Sequence, residues 1–301
     1  MILITEFMDE TWVAWLRART DVIYDPELVD RPNDLAAKAN AADALIVRNR
    51  TRVGGALLDA GFTCVGRLGV GLDNIDLDGC RARGIDVFPA TGANTLSVAE
   101  YVITTAAMLL RGAYDRRAAM ERGEWPRDAA GQGREIAGKT LGLVGYGEIA
   151  RATAKLGAAF DMKCLACDPY ADDFPGAMEG TEREVLEESD VVTLHVPLTD
   201  ETRGMIDAKV LAAMKPGAVL INAARGGVVD EAALCDALRS GHLGGAALDT
   251  FAQEPLGADN PFADVPNLVL TPHVAGVTAE ANARVSEMIA RRVARHLGLK
   301  G

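Results

Sequence analysis

Three side chains in this sequence could do chemistry together: Arg225, Glu254 and His273. A guanidinium can hold a carboxylate through paired N–H donors and polarise a carbonyl beside it. An imidazole exchanges a proton near neutral pH, and a neighbouring carboxylate orients the ring and favours its charged form. Such a set suits the interconversion of a 2-keto acid and a 2-hydroxy acid, with the imidazole serving the oxygen as a hydride reaches or leaves the carbon. Taken singly, each residue has a plain reading: a surface arginine, a solvated glutamate before Pro255, a histidine in a turn. Their placement joins them. Arg225 follows the apolar run Ala218–Ile221, Glu254 follows Gly245–Leu248, and His273 follows Leu268–Thr271. Short apolar runs alternating with helical patterns read as strands of a parallel sheet, whose carboxyl ends share one edge.

A hydride needs a carrier, and the stretch Lys139–Asp168 supplies the expected place for one. The apolar run Thr140–Val144 reads as a buried strand. It leads into Gly145-Tyr146-Gly147-Glu148-Ile149-Ala150, then a helical pattern, a second strand over Met162–Cys167, and Asp168 at its end. In such a unit Gly145 permits the tight turn and Gly147 lets the backbone approach a pyrophosphate. Ala150 allows close helix packing, and the helix N-terminus faces the phosphates. The acid at the second strand's end accepts from the ribose hydroxyls. Asp168 would repel a 2′-phosphate, and Pro169-Tyr170 offers no cation to it, so NAD is the expected cofactor rather than NADP.

Two features of the first ninety residues point to the substrate. Arg48 follows the apolar run Ala44–Val47. Arg67-Leu68-Gly69-Val70-Gly71 closes the run Cys64–Leu68. A Gly-x-Gly loop can aim backbone N–H groups at an anion. With Arg225 and the Gly69–Gly71 amides serving the carboxylate and keto group, Arg48 and Arg67 are left to face a second anion at C3, a phosphate or a sulfonate. Two solvated arginines and an ordinary turn would look the same.

The elements that must position these residues follow in order. Strands are expected at Met1–Thr5, Val22–Tyr24, Ala44–Val47, Cys64–Leu68 and Ile85–Phe88. Helical segments are expected at Asp9–Arg17, Asn33–Ala39 and Gly54–Ala60. A long helix over Leu96–Leu110 is capped by Asn94 or Thr95, with Glu100 in its first turn. A charged helix over Tyr114–Arg122 follows it. Beyond Asp168 come a strand over Asp190–Leu194 ending in His195-Val196-Pro197, a helix over Asp230–Arg239, and a closing helix over Ala279–Leu297. Val98, Val102, Ile103, Ala106, Leu109 and Leu110 put apolar residues on several faces of the long helix, more than one core needs, and predict a homodimer.

The bulk properties narrow the class. A net charge of −12 over 301 residues disfavours nucleic acid and acidic membrane as main partners. The amino terminus lacks a basic leader and no apolar run spans a bilayer, so a cytoplasmic protein is expected. The odd number and scatter of the five cysteines argue against a disulfide framework. Cys164 and Cys167 are three apart on an expected strand, so they point to opposite faces and no metal site is expected.

The motifs GYGEIA, CDPY, NAARGGVVDE, ALDTFAQEP and TPHVAG resemble the D-isomer-specific 2-hydroxyacid dehydrogenase family over nearly the whole chain. VGRLGVGLDNIDL and ATGANTLSVAEYV are similar to its 3-phosphoglycerate dehydrogenase branch, and LIVRNRTRV with ATGANTLSVAEYV also to sulfolactate dehydrogenases. The resemblance implies an α/β protein of two doubly wound parallel-sheet domains. One is a flavodoxin-like substrate domain over 1–94 and 277–301, the other a Rossmann NAD-binding domain over 95–276. It implies catalytic roles for Arg225, Glu254 and His273. It implies cofactor contacts for Gly145, Tyr146, Gly147, Glu148, Ile149, Asp168, His195, Val196, Pro197, Ala223, Ala224, Arg225, Asp249, His273, Ala275 and Gly276. Substrate contacts fall to Arg48, Arg67, Gly69, Val70 and Gly71. Two positions depart from the family's habit: Glu148 stands where arginine is common, and Val70 where relatives carry a hydroxyl. The expected function is hydride transfer between NAD(H) and a small 2-hydroxy or 2-keto acid. Competing readings are an NAD-sensing binding protein like the C-terminal-binding-protein corepressors, and a glyoxylate or hydroxypyruvate reductase. Formate dehydrogenase pairs glutamine with its histidine, so Glu254 argues against it.

Overall fold

The computed structural model describes residues 1–114 and 116–300. The chain forms two compact units, one of Met1–Asn94 with Val277–Gly301, the other Thr95–Gly276. In the first, β1 (Ile2–Ile4), α1 (Glu10–Arg17), β2 (Val22–Tyr24), α2 (Pro32–Ala39), β3 (Ala44–Val47), β4 (Cys64–Arg67), α3 (Leu77–Ala82) and β5 (Asp86–Pro89) follow in order. The stretch expected as a helix at Gly54–Ala60 is a 3-10 turn, Gly55–Ala60. The strands make a five-stranded parallel sheet in the order β2-β1-β3-β4-β5, a flavodoxin-like winding.

In the second unit come α4 (Thr95–Arg111), α5 (Arg117–Glu121), α6 (Arg127–Ala130), β6 (Thr140–Val144), α7 (Glu148–Ala159), β7 (Lys163–Cys167) and β8 (Met178–Glu179). Then follow α8 (Glu182–Glu188), β9 (Val191–Leu194), α9 (Ala208–Ala213), α10 (Glu231–Arg239), with β10 (Val219–Asn222) before it, β11 (Gly245–Leu248) and β12 (Leu268–Leu270). The final helix, α11 (Ala279–His296), belongs to the first unit. The second sheet has seven parallel strands in the order β12-β11-β10-β9-β6-β7-β8. The order reverses at β6, between β7 and β9, which is the switch point where doubly wound sheets bind ligands.

Side-chain alternation decides each face. Leu141 and Leu143 of β6 pack with α4 and α7, while Val144 packs with α8, α9 and α10 on the other side. Cys164 and Cys167 divide between the same two cores. Short acidic or hydroxyl residues start the helices: Asp9, Asp76, Asp207, Asp230 and Thr278 each accept a hydrogen bond from a first-turn N–H. Thr181 and Glu184 form a reciprocal capping box on α8.

The structure corrects the reading of the long helix. Val98, Val102, Ile103, Ala106 and Leu110 are all buried in one core against α7 and the sheet, and Leu109 packs onto it. These six residues therefore leave no surplus apolar face. The exposed apolar residues of this region are Leu96 in the first turn of the helix, and Tyr114, Met120 and Trp125 beyond it. Because the helix begins at Thr95, Glu100 lies beyond its first turn. Asn94 does not cap it, since its Oδ1 accepts no hydrogen bond among the described residues. The charged helix expected over Tyr114–Arg122 is shorter, Arg117–Glu121, and Asp115 lies outside the described residues. Among the described residues no helix is long and apolar enough to cross a membrane.

Candidate active site

All strands of the second sheet run parallel, so the turns after β6, β9, β10, β11 and β12 lie on one edge. The structure brings Glu254 and His273 together there: His273 Nδ1 lies 2.8 Å from Glu254 Oε2. The other carboxylate oxygen, Oε1, accepts the Phe251 N–H at 3.0 Å. Burial opposes the charged form of Glu254, but the bonds from His273 and Phe251 and the nearby Arg225 outweigh it, so its carboxyl is held below the usual range. Glu254 is therefore an anion at neutral pH.

His273 is set by its backbone. It adopts a left-handed conformation, φ 56°, and its N–H reaches Asp249 O at 2.8 Å and Thr271 O at 3.0 Å. Such a conformation costs a non-glycine residue about 1–3 kcal/mol and persists only where the surroundings impose it. Asp249 imposes it. Its Oδ1 accepts from Thr271 Oγ1 at 2.6 Å and Val274 N at 2.8 Å, and its Oδ2 from Ala275 N at 2.8 Å. With 1% of its surface exposed, Asp249 spends its carboxylate on the turn that carries His273. The sequence suggested a direct cofactor contact for Asp249; in the structure its carboxylate accepts from the turn that carries His273.

Arg225 closes the third corner. Asn222 holds the loop after β10 by donating to Arg225 O at 2.8 Å and accepting from Ala224 N at 3.1 Å. Arg225 Nη1 donates to Ala224 O at 2.7 Å. The next residue, Gly226, is pressed against the loop of Glu254: a Cβ on it would lie 1.9 Å from Phe251 C and O and 2.5 Å from Ala252 N. Glu231, first residue of α10, accepts the Ala252 N–H at 2.7 Å. Gly226 and Glu231 escaped the sequence reading, because a backbone-to-backbone approach between two distant loops leaves no local signature.

The turn after β6 has the build of a pyrophosphate site. Gly145 has φ 88°, and a Cβ on it would strike His195 O at 2.7 Å, so the turns after β6 and β9 are in contact. His195 N donates to Val144 O at 2.7 Å, which fixes His195, Val196 and Pro197 beside the glycine turn. Burial drives His195 down to about 4, so its ring is neutral and bonds Thr193 Oγ1 at 3.2 Å. Gly147 is the reverse of Gly145: a Cβ there would meet nothing within 4 Å, and α7 has no side-chain cap. Open space before an uncapped N-terminus fits a dinucleotide phosphate. Ala150 is fully buried beneath the turn, while Glu148 and Ile149 start the helix, Glu148 exposed. Tyr146 differs from expectation. Its ring is in the core, tilted against Phe174 with its hydroxyl donating to Pro175 O, and its N–H goes to Asp168 Oδ2 at 2.7 Å. Asp168 also accepts Tyr170 N at 2.9 Å. It thus shapes the turn it was expected to serve. Ala223, Ala224 and Gly276 are partly exposed on the same edge, and Ala275 is buried.

In the first unit, Arg48 and Arg67 leave the sheet on opposite faces. Val65 and Val47 belong to the core under α2, and Arg67 follows their parity. Arg48 takes the other face, where its Nη2 donates to Asn282 Oδ1 of α11 at 3.1 Å. Arg67 folds back on its own loop, donating to Leu68 O at 3.2 Å, and a Cβ on Gly69 would collide with its guanidinium. The two arginines are thus held by different partners, Arg48 by α11 and Arg67 by its own loop. Val70 and Gly71 lie at the rim of the same loop, Val70 exposed.

A switch-point glycine turn, an uncapped helix and a histidine–carboxylate pair on one sheet edge define a nucleotide-dependent oxidoreductase. Residues 103–275 match the model of the D-isomer specific 2-hydroxyacid dehydrogenase, NAD binding domain. The chain is 50% identical over 306 residues to (S)-sulfolactate dehydrogenase of Chromohalobacter salexigens, covering 99% of both proteins. It is 39% identical over 301 residues to D-3-phosphoglycerate dehydrogenase of Mycobacterium leprae, covering 97% of this chain but 56% of that protein, so it spans about half the length of that relative. The solved TT0316 protein of Thermus thermophilus superposes with a TM-score of 0.91 at 33% identity, over 99% of this chain and 97% of that one. The chain belongs to the D-isomer-specific 2-hydroxyacid dehydrogenase family. It is an NAD-dependent 2-hydroxyacid dehydrogenase.

Proposed function

We propose that the substrate is a 2-hydroxy acid with a second anion at C3, and that 3-sulfolactate with its 3-sulfopyruvate partner is the first candidate. The observation that carries this is Arg48, a half-buried guanidinium whose direction is fixed by Asn282. Burial lowers its pKa, opposed by Glu6 and Tyr24, and an arginine so placed remains charged. The whole-length similarity to a sulfolactate dehydrogenase supports the sulfonate. The phosphoglycerate relatives support 3-phosphoglycerate as the second reading.

Bound NAD supplies the hydride acceptor or donor. His273 takes the hydroxyl proton in oxidation and returns it to the keto oxygen in reduction. Glu254 holds the ring by Nδ1, which leaves Nε2 for the substrate. Arg225 binds the C1 carboxylate and stabilises charge developing on the adjacent oxygen. The Gly145–Ile149 turn, with Asp168, His195–Pro197 and Ala223–Ala224, holds the cofactor. We place the enzyme in the cytoplasm, where its five free thiols stay reduced. We further propose a homodimer, with exposed Tyr114, Met120 and Trp125 as the apolar patch to be covered; light scattering at micromolar concentration reads it.

The test is a panel of 2-keto acids with NADH. 3-Sulfopyruvate is expected to lead 3-phosphohydroxypyruvate, and both to exceed pyruvate. A charge-assisted hydrogen bond contributes roughly 1.5–3 kcal/mol, so Arg48→Ala should lower kcat/KM for the C3-anionic acids about 10- to 100-fold and leave pyruvate nearly unchanged. A preference for pyruvate or glyoxylate, or an equal loss on all substrates, refutes the proposal.

A further inference from the structure

Glu6 follows β1 and is 4% exposed, yet among the described residues it forms no ion pair. Its carboxylate is held by three backbone N–H groups of the segment after β3. Oε1 accepts from Arg48 at 2.8 Å and Thr51 at 2.9 Å, and Oε2 from Arg50 at 3.1 Å. Asn74 closes the same segment from its carbonyl side, its Nδ2 donating to Arg48 O at 2.8 Å and Thr51 O at 2.6 Å. Thr5 and Thr51 join their hydroxyls at 2.9 Å. The loop 48–51 is therefore wrapped around a buried carboxylate.

Burying a carboxylate is costly, and here three N–H donors offset that cost, donors that an apolar side chain would leave without an acceptor. What the carboxylate adds is a fixed backbone at Arg48. The next residue, Phe7, fixes the other end of the same arginine: the guanidinium carbon lies 5.7 Å from the centre of the Phe7 ring, within cation–π range. Phe7 is 47% exposed, too open to act mainly as core. Arg48 is thus held at its amide by Glu6, along its head group by Phe7, and at Nη2 by Asn282.

We propose that Glu6 and Phe7 are positioning residues that set selectivity for the C3 anion by pre-aligning Arg48. The inference rests on the reading of Arg48 given above. A guanidinium fork meets a sulfonate or phosphate well only when both N–H vectors are aligned, and a support loosened by about 1 Å spoils that. An uncharged C3 makes no such demand.

The experiment compares Glu6→Gln, Phe7→Ala and Arg48→Ala with the unaltered enzyme, using NADH with 3-sulfopyruvate and with pyruvate. Glu6→Gln keeps the size but turns one acceptor into an NH2 facing a backbone N–H. The expected result for Glu6→Gln and Phe7→Ala is a roughly tenfold fall in kcat/KM for 3-sulfopyruvate, carried by KM, with less than about a twofold change for pyruvate. Equal losses on both substrates mean a merely structural role and overturn the inference, as does unchanged selectivity. If Glu6→Gln does not fold, Phe7→Ala decides on the same criteria, since its exposed ring is not needed for the core. Loss of selectivity in Arg48→Ala without loss in the other two sinks this inference alone. Unchanged selectivity in Arg48→Ala sinks the reading of Arg48 itself.

Discussion

Replacing Gly226 by alanine should disable the enzyme without unfolding it. The added Cβ would sit 1.9 Å from Phe251 C and O, against about 3.4 Å for the nearest ordinary contact, so two loops must part by about 1.5 Å. The obstacle is backbone, which cannot swing aside as a side chain does. One loop carries Arg225 next door and the other carries Glu254 three residues on, hydrogen-bonded to Phe251 N. The displacement therefore falls on the spacing between the substrate-carboxylate cation and the histidine–carboxylate pair. A misplacement near 1 Å costs on the order of 10²-fold in rate. Steady-state rates with NADH and a 2-keto acid, beside a thermal melt, should show kcat reduced about 100-fold in a folded protein. A variant with near-normal kcat would show that this contact does not set the spacing of the reacting groups.

Four further outcomes are expected. Gly147→Ala meets no protein atom within 4 Å, so its melting temperature should be unchanged while the KM for NADH rises; an unchanged KM would remove that turn from the cofactor site. His273→Ala should lower kcat by roughly 10²–10⁴, the range for a lost general acid–base, and a rate near normal would refute its role. Glu254→Gln removes the anion beside the imidazole, so the pH profile of keto-acid reduction should move to lower pH; a stationary profile would count against the pair. Burial lowers His195 to about 4 from 6.5, so the unfolded chain binds the extra proton and stability is lost as pH falls from about 6.5 towards 4. At 1.36 kcal/mol per unit this is at most about 3 kcal/mol, because part of the residue remains accessible; urea midpoints of His195→Gln should show a flatter acid slope.

The fold was legible where the chain is buried on both faces of a sheet. Runs such as Ala44–Val47 and Gly245–Leu248 are wholly apolar because no face meets water, and their observed bounds match the reading. Elements at the rim were less so: β8 is two exposed residues, and α9 buries only Leu211. The capping box of α8 was written in Thr181 and Glu184, a local signal that could have been used. At the site, Glu254 and His273 could be brought together from sequence because each follows its strand by a short turn. The hydrogen bonds that Asp249 and Tyr146 make to neighbouring turns could not be read, since motif position does not say which way a side chain points. Glu6 carried one signal, an acid directly after an apolar strand, and its partners lie more than forty residues away. The surplus apolar face assigned to α4 was an error of context, as α7 and the sheet both pack on it.

The way α11 completes the first unit has a consequence for biosynthesis. Its Ile289, Ala290 and Val293 cover the face of the sheet that presents Ile2, Ile4, Ile46 and Cys64. Gly66 lacks a side chain where Ile289 would otherwise lie 2.5 Å from its Cβ. Residues 1–94 leave the ribosome long before that helix is made. At ~5–20 residues per second the intervening second unit takes on the order of ten to forty seconds to translate. The second unit is contiguous and can settle as it emerges. The nascent first sheet, partly covered on that face by Val13 and Leu16 of α1, must wait with the rest of it open, an apolar surface of the kind a chaperone shields.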